Sequence, residues 1–215
     1  MEKFDLYDIN RNFTGKIINR GDDVPTGYYR AVVHLIIFNS KGEMLIQQRS
    51  DNKKNWPSKW DISVGGCVIS GENSLQAMIR ESKEELGLDL ENVLNRPVFT
   101  FNFSEGFDDI YLLNMDVELN EIILQEEEVQ AVKWETIDNI LKMIKNENKE
   151  IDFVPREFIL SIKFVFLRKL FALKAHKVDS VQKWFDICYY LRIRKASNRY
   201  DWKLNCYPHR DSLPH

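Results

Sequence analysis

The feature that constrains this chain most is a short helix whose two ends are encoded in the sequence. Apolar side chains recur at helical spacing over Ser74–Leu86. Asn73 followed by Gln76 predicts a capping box, and Gly87 stands where a glycine ends a helix in the left-handed conformation. The apolar stripe contains one polar residue, Ser82, and we expect this stripe to pack on the core of the domain.

Three glutamates occupy another face of the predicted helix. Glu81, Glu84 and Glu85 are spaced i, i+3 and i+4, so their side chains are neighbours. Like charges at this spacing weaken a helix by about 0.2–0.5 kcal/mol per pair. A divalent cation removes the repulsion, because hard cations are bound by several carboxylate oxygens. Three glutamates alone are better explained as a solvated acidic helix, so the surrounding residues decide between the two interpretations.

The loop before the helix supplies those residues. Gly65 and Gly66 allow a backbone carbonyl to approach a ligand closely, and the free N–H groups of a helix N-terminus suit a phosphate oxygen. Arg80 is placed to pair with Glu72, which would hold the loop against the helix. Together with the glutamates, this arrangement predicts a site for a divalent cation and a phosphate group.

Residues 66–88 resemble the Nudix box, Gly-x5-Glu-x7-Arg-Glu-U-x-Glu-Glu-x-Gly-U, in which U is apolar. The matching positions are Gly66, Glu72, Arg80, Glu81, Glu84, Glu85, Gly87 and Leu88. The one departure is Ser82, at the first apolar position. The resemblance implies an α/β protein, a Nudix-type α/β/α sandwich with a mixed β-sheet. It also implies a hydrolase that uses Mg²⁺ or Mn²⁺ to cleave a diphosphate bond in a nucleoside diphosphate linked to another moiety.

The same resemblance assigns roles at the metal. Glu81 and Glu85 resemble the principal metal ligands, and Glu84 resembles a further ligand or the base that activates water. The carbonyl of Gly66 is expected to complete the metal shell. Family members often recruit another acid from a downstream loop, and Glu128 is the favoured residue in a run of three glutamates.

The remaining residues of the expected site are basic or structural. Arg80 is expected to act with the catalytic glutamates, whereas Glu72 and Gly87 are expected to have structural roles. Substrate phosphates are expected to contact Arg49, at the end of a strand, and Lys54, in the loop that follows it.

Residues 49–60 are similar to the corresponding region of isopentenyl-diphosphate isomerases, which are Nudix relatives. Those enzymes use a cysteine nucleophile and histidine metal ligands. Gly65 stands at the cysteine position here, and Cys67 and Arg30 stand at two histidine positions. The chain therefore resembles the isomerase-like subgroup without its catalytic residues, and an isomerase is kept as the alternative enzyme.

The C-terminal part of the chain is basic. Residues 155–215 contain 13 Lys and Arg against 5 Asp and Glu. We predict a Nudix hydrolase domain at 1–154 and a basic, mostly helical C-terminal extension at 155–215. A nucleic-acid-binding or regulatory protein on a Nudix fold is the third hypothesis. Nucleic acid is not an expected partner, because no recognition motif is present and a basic surface that docks on an acidic body explains the charge.

Strand patterns dominate the first two thirds of the chain. Arg30–Phe38 is predicted as a long apolar strand, with Glu43–Arg49 as its hairpin partner. Lys59–Val64 is predicted as a further strand that leads into the two glycines. A second amphipathic helix is predicted over Thr136–Asn146. His34 lies in an apolar strand and is expected to be a core or half-buried residue rather than a metal ligand.

Composition bears on location and partners. The chain has three cysteines and no CxxC pair, which argues against a disulfide framework and a zinc knuckle. It has no apolar run of about 18 residues and no signal-peptide pattern at its start. We therefore expect a cytoplasmic protein with a small-molecule diphosphate substrate and no membrane partner, and we include a homodimer among the expected assemblies.

Overall fold

The computed structural model describes residues 1–145, 151, 158–160, 162–163 and 203–204 of the 215-residue chain. The strands are β1 (Lys3–Tyr7), β2 (Phe13–Asn19), β3 (Arg30–Phe38), β4 (Met44–Arg49), β5 (Trp60–Asp61), β6 (Val64–Cys67), β7 (Phe99–Phe103), β8 (Gly106–Asn114), β9 (Val129–Glu135) and β10 (Lys203–Leu204). The helices are α1 (Ser74–Leu86) and α2 (Ile137–Lys145), with a 3-10 turn at Leu119–Glu121. Residues 158–160 and 162–163 are also helical. The predicted bounds of β3 and α1 are confirmed, and β4 and α2 each begin one residue later than predicted.

The strands form a small hairpin and a large mixed sheet. Strands β1 and β2 pair with each other, and the large sheet has the order β10-β7-β8-β3-β4-β5, with β6 on β3 and β9 on β4. Strands β3 and β8 run parallel, and the other pairs are antiparallel. The predicted mixed sheet is therefore confirmed.

Strands β3 and β4 separate soon after the turn that joins them. Their ladder contains a single pair, Phe38 with Met44. Ser63 lies between the separated strands, where its hydroxyl accepts from the Ile37 amide at 2.9 Å and donates to the Leu45 carbonyl at 2.6 Å. The predicted single strand Lys59–Val64 is wrong for this reason. The chain pairs with β4 as β5, crosses the gap at Ser63, and pairs with β3 as β6.

Two hydrophobic layers cover the two faces of the sheet. Helix α1 packs on one face through Ala77, Met78 and Leu86, which join side chains of β3 and β4. Helix α2 packs on the other face through Ile140. Each fully buried aliphatic side chain contributes about 1.5–3 kcal/mol. A helix on each face is the α/β/α sandwich that the sequence predicts.

Part of the predicted C-terminal extension belongs to this core. Phe158, Ile159 and Ile162 are buried in the same layer as α2. The boundary at residue 154 stays a prediction, and most of the basic, helical extension lies outside the described residues. Within the described residues, no helix is long and apolar enough to cross a membrane.

The caps of α1 form as predicted. The Asn73 side chain accepts from the Gln76 amide, and the Gln76 side chain accepts from the Asn73 amide, both at 2.9 Å. Gly87 has φ +69°, and its amide donates to the Lys83 carbonyl at 3.1 Å. The departure at Ser82 is buried, and its hydroxyl donates to the Met78 carbonyl at 2.7 Å, so no polar atom is left unpaired there.

The N-terminal hairpin fixes the loop that precedes α1. The Asp5 carboxylate accepts from the Ser70 hydroxyl at 2.6 Å and from the Gly71 amide at 3.1 Å. On the other side of the hairpin, Arg11 makes two hydrogen bonds to Asp109 of β8, at 2.8 and 2.9 Å. Two-point ion pairs of this kind are geometrically specific, so the hairpin orients the loop relative to the sheet.

Candidate metal and diphosphate site

Arg80 is the centre of the polar network on α1. Its guanidinium donates to both Glu72 oxygens at 2.8 and 3.1 Å and to the Cys67 carbonyl at 3.0 Å. It also contacts Glu81 at 3.0 Å and Glu84 at 2.9 Å. The hydrogen bond to Glu72 raises the pKa of Arg80 further above its ordinary value. Arg80 therefore ties the loop and strand β6 to the helix, as the sequence predicts for Glu72.

Glu85 is buried, which the sequence did not predict. Its side chain was expected on a face away from the core, but only 6% of the residue is exposed. Its carboxyl accepts from Gln47 of β4 at 3.0 Å and from the Gly65 amide at 3.4 Å. Burial raises the pKa of Glu85 to about 8, and the charge of Glu81 adds to this. The gap between β3 and β4 places β6 and Gln47 over the helix, and this encloses Glu85.

Glu81 lies against strand β6. A Cβ at Gly66 would stand 2.1 Å from the carboxyl carbon of Glu81, so only glycine leaves room for this carboxyl. Burial raises the pKa of Glu81 to about 7, although Arg80 opposes the shift. Glu84 is different, since 48% of its side chain is exposed and its carboxylate pairs with Arg80. The three glutamates thus range from buried to half exposed.

The donor set suits a hard divalent cation, because it combines carboxylates with a backbone strand that approaches them closely. The buried Gln47 Oε1 has no hydrogen-bond partner, which leaves an unused acceptor beside Glu85. In the described part of the chain, however, no three His, Cys, Asp or Glu side chains are arranged to hold a metal ion. Glu81 and Glu84 contact Arg80 instead. The residues fit a metal ion provided that these carboxylates turn away from Arg80.

The downstream acid and the basic loop meet at one point. Lys53 pairs with the carboxylate of Glu128, and the Ser50 amide donates to the Glu128 carbonyl at 2.8 Å. Arg49 lies 3.9 Å from Asp61 and donates to the Asn55 carbonyl at 3.3 Å. The loop therefore brings Lys53 to Glu128.

Lys54 is exposed, and no hydrogen bond or ion pair places it in this cluster among the described residues. Its predicted contact with substrate phosphate has no support from the geometry. The predicted contact of Arg49 with substrate phosphate depends on the same loop, because Arg49 donates to the Asn55 carbonyl there.

His34 forms a charged pair that the sequence did not indicate. Its Nδ1 lies 2.8 Å from a carboxylate oxygen of Asp108, in the neighbouring strand β8. Burial opposes the charge on His34, but Asp108 outweighs burial and raises the pKa to about 9. Asp61 is buried nearby, and burial raises its pKa to about 6. The two partners are 74 residues apart, and no local pattern links them.

The pH dependence of stability tests this pair. The pKa of His34 is about 9 in the folded protein and 6.5 in a free side chain, so its stabilising effect is complete below pH 6.5 and is lost as pH rises through 9. We expect the wild type to lose about 3 kcal/mol more than His34→Gln between pH 6.5 and 9.5, at ~1.4 kcal/mol per pKa unit. Urea unfolding measures this, and Asp108→Asn should remove the same slope. Parallel curves for wild type and variants would contradict the charged pair.

Among the cavities of the described residues, two lie beside the sheet. The larger, about 500 Å³, lies at the turn between β3 and β4, next to Asn39 and Trp134, and contains none of the box residues. The smaller, about 290 Å³, lies between the N-terminal hairpin and β6 and includes Cys67. Of these two cavities, the smaller adjoins the carboxylate cluster.

Several known proteins are similar to this chain in sequence and fold. The NUDIX domain family matches residues 28–156. A Nudix hydrolase of Listeria monocytogenes is 38% identical over 174 residues, which cover 81% of this chain and 96% of the relative. The crystal structure of a Deinococcus radiodurans protein, DR0079, is similar with a TM-score of 0.59 at 28% identity, and the match covers 70% of this chain and 96% of that one.

The likeness to isomerases is limited to a short stretch. The isopentenyl-diphosphate Delta-isomerase of Citrobacter koseri is 42% identical over 57 residues, which cover 26% of this chain and 32% of the relative. The Listeria relative and the family match both extend over most of the domain that carries the carboxylate helix. The chain therefore belongs to the Nudix hydrolase family, whose enzymes act on phosphorus-containing anhydrides.

Proposed function

We propose that this protein uses Mg²⁺ or Mn²⁺ to hydrolyse the diphosphate bond of a nucleoside diphosphate linked to another moiety. The observation that carries the proposal is the buried Glu85 carboxyl beside Glu81, on a helix that Arg80 ties to Gly66-Cys67. A buried carboxyl next to a partly buried one is costly in a purely structural site. A divalent cation would supply the positive charge that these groups lack.

Each residue of the site has a proposed role. Glu81, Glu85 and the Gly66 carbonyl are the groups that would hold the metal ion. A bound Mg²⁺ or Mn²⁺ would neutralise the diphosphate and make a neighbouring water more acidic. Glu84 has the most exposed carboxylate of the three, so we assign it the proton of the attacking water, with further metal contact.

Basic residues and one further acid complete the proposed site. Arg80 holds the loop in place and stabilises negative charge that develops on the phosphoryl group. Glu128 is the additional acid, which Lys53 neutralises in the described conformation. Arg49 is the proposed phosphate contact from β4, and Lys53 is better placed than Lys54 to join it.

The isomerase hypothesis has an obstacle at its nucleophile. A Cβ at Gly65 would stand 2.6 Å from a ring carbon of His34, so a cysteine side chain does not fit there while His34 pairs with Asp108. Cys67 is not a substitute, because burial raises the pKa of its thiol and disfavours the thiolate. The geometry favours the hydrolase.

The nucleic-acid hypothesis depends on residues 155–215, most of which lie outside the described residues. The expected cytoplasmic location and the homodimer likewise stay predictions. Loss of salt-dependent nucleic-acid binding on removal of residues 156–215 would support the third hypothesis.

A substrate panel tests the proposed function. We expect metal-dependent release of phosphate-containing products from at least one compound among ADP-sugars, dinucleotides, nucleoside triphosphates and coenzyme A. Isopentenyl diphosphate should stay unconverted in the same buffer, which serves as the control for the isomerase. Interconversion of isopentenyl and dimethylallyl diphosphates would reverse the ranking of the two enzymes.

A further inference from the structure

The smaller cavity lies beside the carboxylate cluster rather than in it. Its volume is about 290 Å³, and its walls include Phe4, Arg20, Arg30, Cys67 and Glu105. None of the three helix glutamates lines it. Cys67 follows Gly66 directly, so the cavity adjoins the strand that Glu81 contacts.

Arg30 has no strong partner in the described residues. Its guanidinium donates to the Cys67 sulfur at 3.3 Å and lies 5.8 Å from the centre of the Phe103 ring. A thiol is a weak acceptor, and no carboxylate among the described residues forms a hydrogen bond or ion pair with Arg30. The residue is partly buried, so water replaces a partner only in part. A partly buried guanidinium that is not bonded to a carboxylate is a binding group for an anion.

Arg20 adds a second guanidinium to the same cavity. It pairs with Glu2 at 2.7 Å, but both side chains are well exposed, so this pair is weak. Arg20, Arg30 and Cys67 line the same cavity.

Three acidic residues also line the cavity, but none forms an ion pair with Arg30 in the described part of the chain. One oxygen of Asp22 accepts from the amide and side chain of Asn19, at 2.9 and 3.1 Å. Asp23 and Glu105 are exposed, so water screens their charge. Arg30 is therefore available to an anionic ligand, and Arg20 is held only by its exposed pair with Glu2.

We propose that this cavity binds a phosphate group that the substrate carries outside its scissile diphosphate bond, with Arg30 as the main contact and Arg20 as the second. The proposal rests on the proposed function, because the cavity adjoins the diphosphate site. Arginine matches phosphate geometry with two parallel N–H donors, which is why phosphate is the assigned group. The cavity selects phosphorylated over unphosphorylated forms of the same diphosphate compound.

Binding of matched ligands tests the proposal without catalysis. Coenzyme A and dephospho-coenzyme A form one pair, and NADPH and NADH form another; each pair differs by one phosphate. Calorimetric titration measures the binding of each ligand. A metal chelator in the buffer prevents metal-dependent cleavage during the titration. In at least one pair, the phosphorylated member should bind wild type about 10-fold or more tightly, as expected for a charge-assisted contact.

Variants locate the selectivity. Arg30→Gln should bring the affinity ratio of that pair close to one, and Arg20→Gln, at an exposed position, should reduce it. Arg96→Gln makes the same charge change at an exposed residue outside the cavity and should keep the ratio. The circular dichroism of each variant checks folding.

Two results overturn the proposal. In the first, wild type binds both members of each ligand pair with the same affinity. In the second, the preference for the phosphorylated ligand survives both Arg30→Gln and Arg20→Gln. Failure of the proposal is separable from failure of the proposed function. Discrimination without any metal-dependent cleavage would refute the hydrolase and leave the phosphate cavity standing, whereas cleavage without discrimination would do the reverse.

Discussion

Glu85→Gln should lower metal-dependent turnover by about 100-fold or more, and it should stabilise the metal-free protein near pH 8. Turnover falls because a neutral amide replaces a carboxylate that we assign to the metal. Stability rises because the Glu85 carboxyl is enclosed by the protein, where its charged form is poorly solvated. Glutamine has the same shape, so the packing against Gln47 changes little.

The sign of the stability change follows from the pKa of Glu85. It is about 8 in the folded protein and 4.5 in a free side chain. Between these values the folded state keeps a proton that the unfolded chain has lost, so wild-type stability falls as pH rises. The free energy of unfolding of the variant does not fall in this way. The difference from wild type amounts to a few kcal/mol, at ~1.4 kcal/mol per pKa unit.

Urea unfolding at pH 5.5 and pH 8, with a chelator present, measures the difference, and Glu84→Gln is the matched control. The Glu84 side chain is half exposed, so its variant should lose turnover while its stability stays within about 0.5 kcal/mol of wild type. A Glu85→Gln enzyme that keeps its turnover would refute the metal assignment. A variant that follows the wild-type pH curve would refute the burial of the carboxyl.

Gly66→Ala should also abolish most turnover, by about 100-fold, although it adds one methyl group and removes no charge. The new Cβ would stand 2.1 Å from the Glu81 carboxyl, so either the carboxyl or strand β6 must move. Weaker binding of Mn²⁺ should accompany the loss, and titration of Mn²⁺ followed by electron paramagnetic resonance measures it.

A double-mutant cycle shows whether Gly66 acts through Glu81. In a Glu81→Ala background the colliding carboxyl is absent, so adding Gly66→Ala should cost little further turnover. The thermal stability of each protein should be recorded as a control for folding. Losses that multiply in the double variant would show that Gly66 has a role independent of Glu81.

The local features of the site could be predicted from the sequence. The capping box at Asn73, the terminal Gly87 and the pairing of Arg80 with Glu72 join residues at most eight positions apart, and helical spacing determines which side chains meet. The mixed sheet and the helix on each face followed from the family resemblance and are confirmed.

The features that the sequence did not reveal depend on long-range packing. Glu85 is buried by Gln47, 38 residues away, and His34 meets Asp108 across two parallel strands. Ser63 divides one predicted strand into two because β3 and β4 separate around it. Helical periodicity places Glu81, Glu84 and Glu85 near one another but does not show which of them the sheet encloses.

Phosphorus NMR of a nucleoside diphosphate derivative from the panel, incubated with the protein, shows whether the diphosphate bond is hydrolysed in a metal-dependent way. We expect the diphosphate signals to be replaced by phosphomonoester signals when Mg²⁺ or Mn²⁺ is added, and excess chelator to stop the change. Diphosphate signals that persist with metal across the whole panel would contradict the proposed function, as would cleavage at the same rate in chelator.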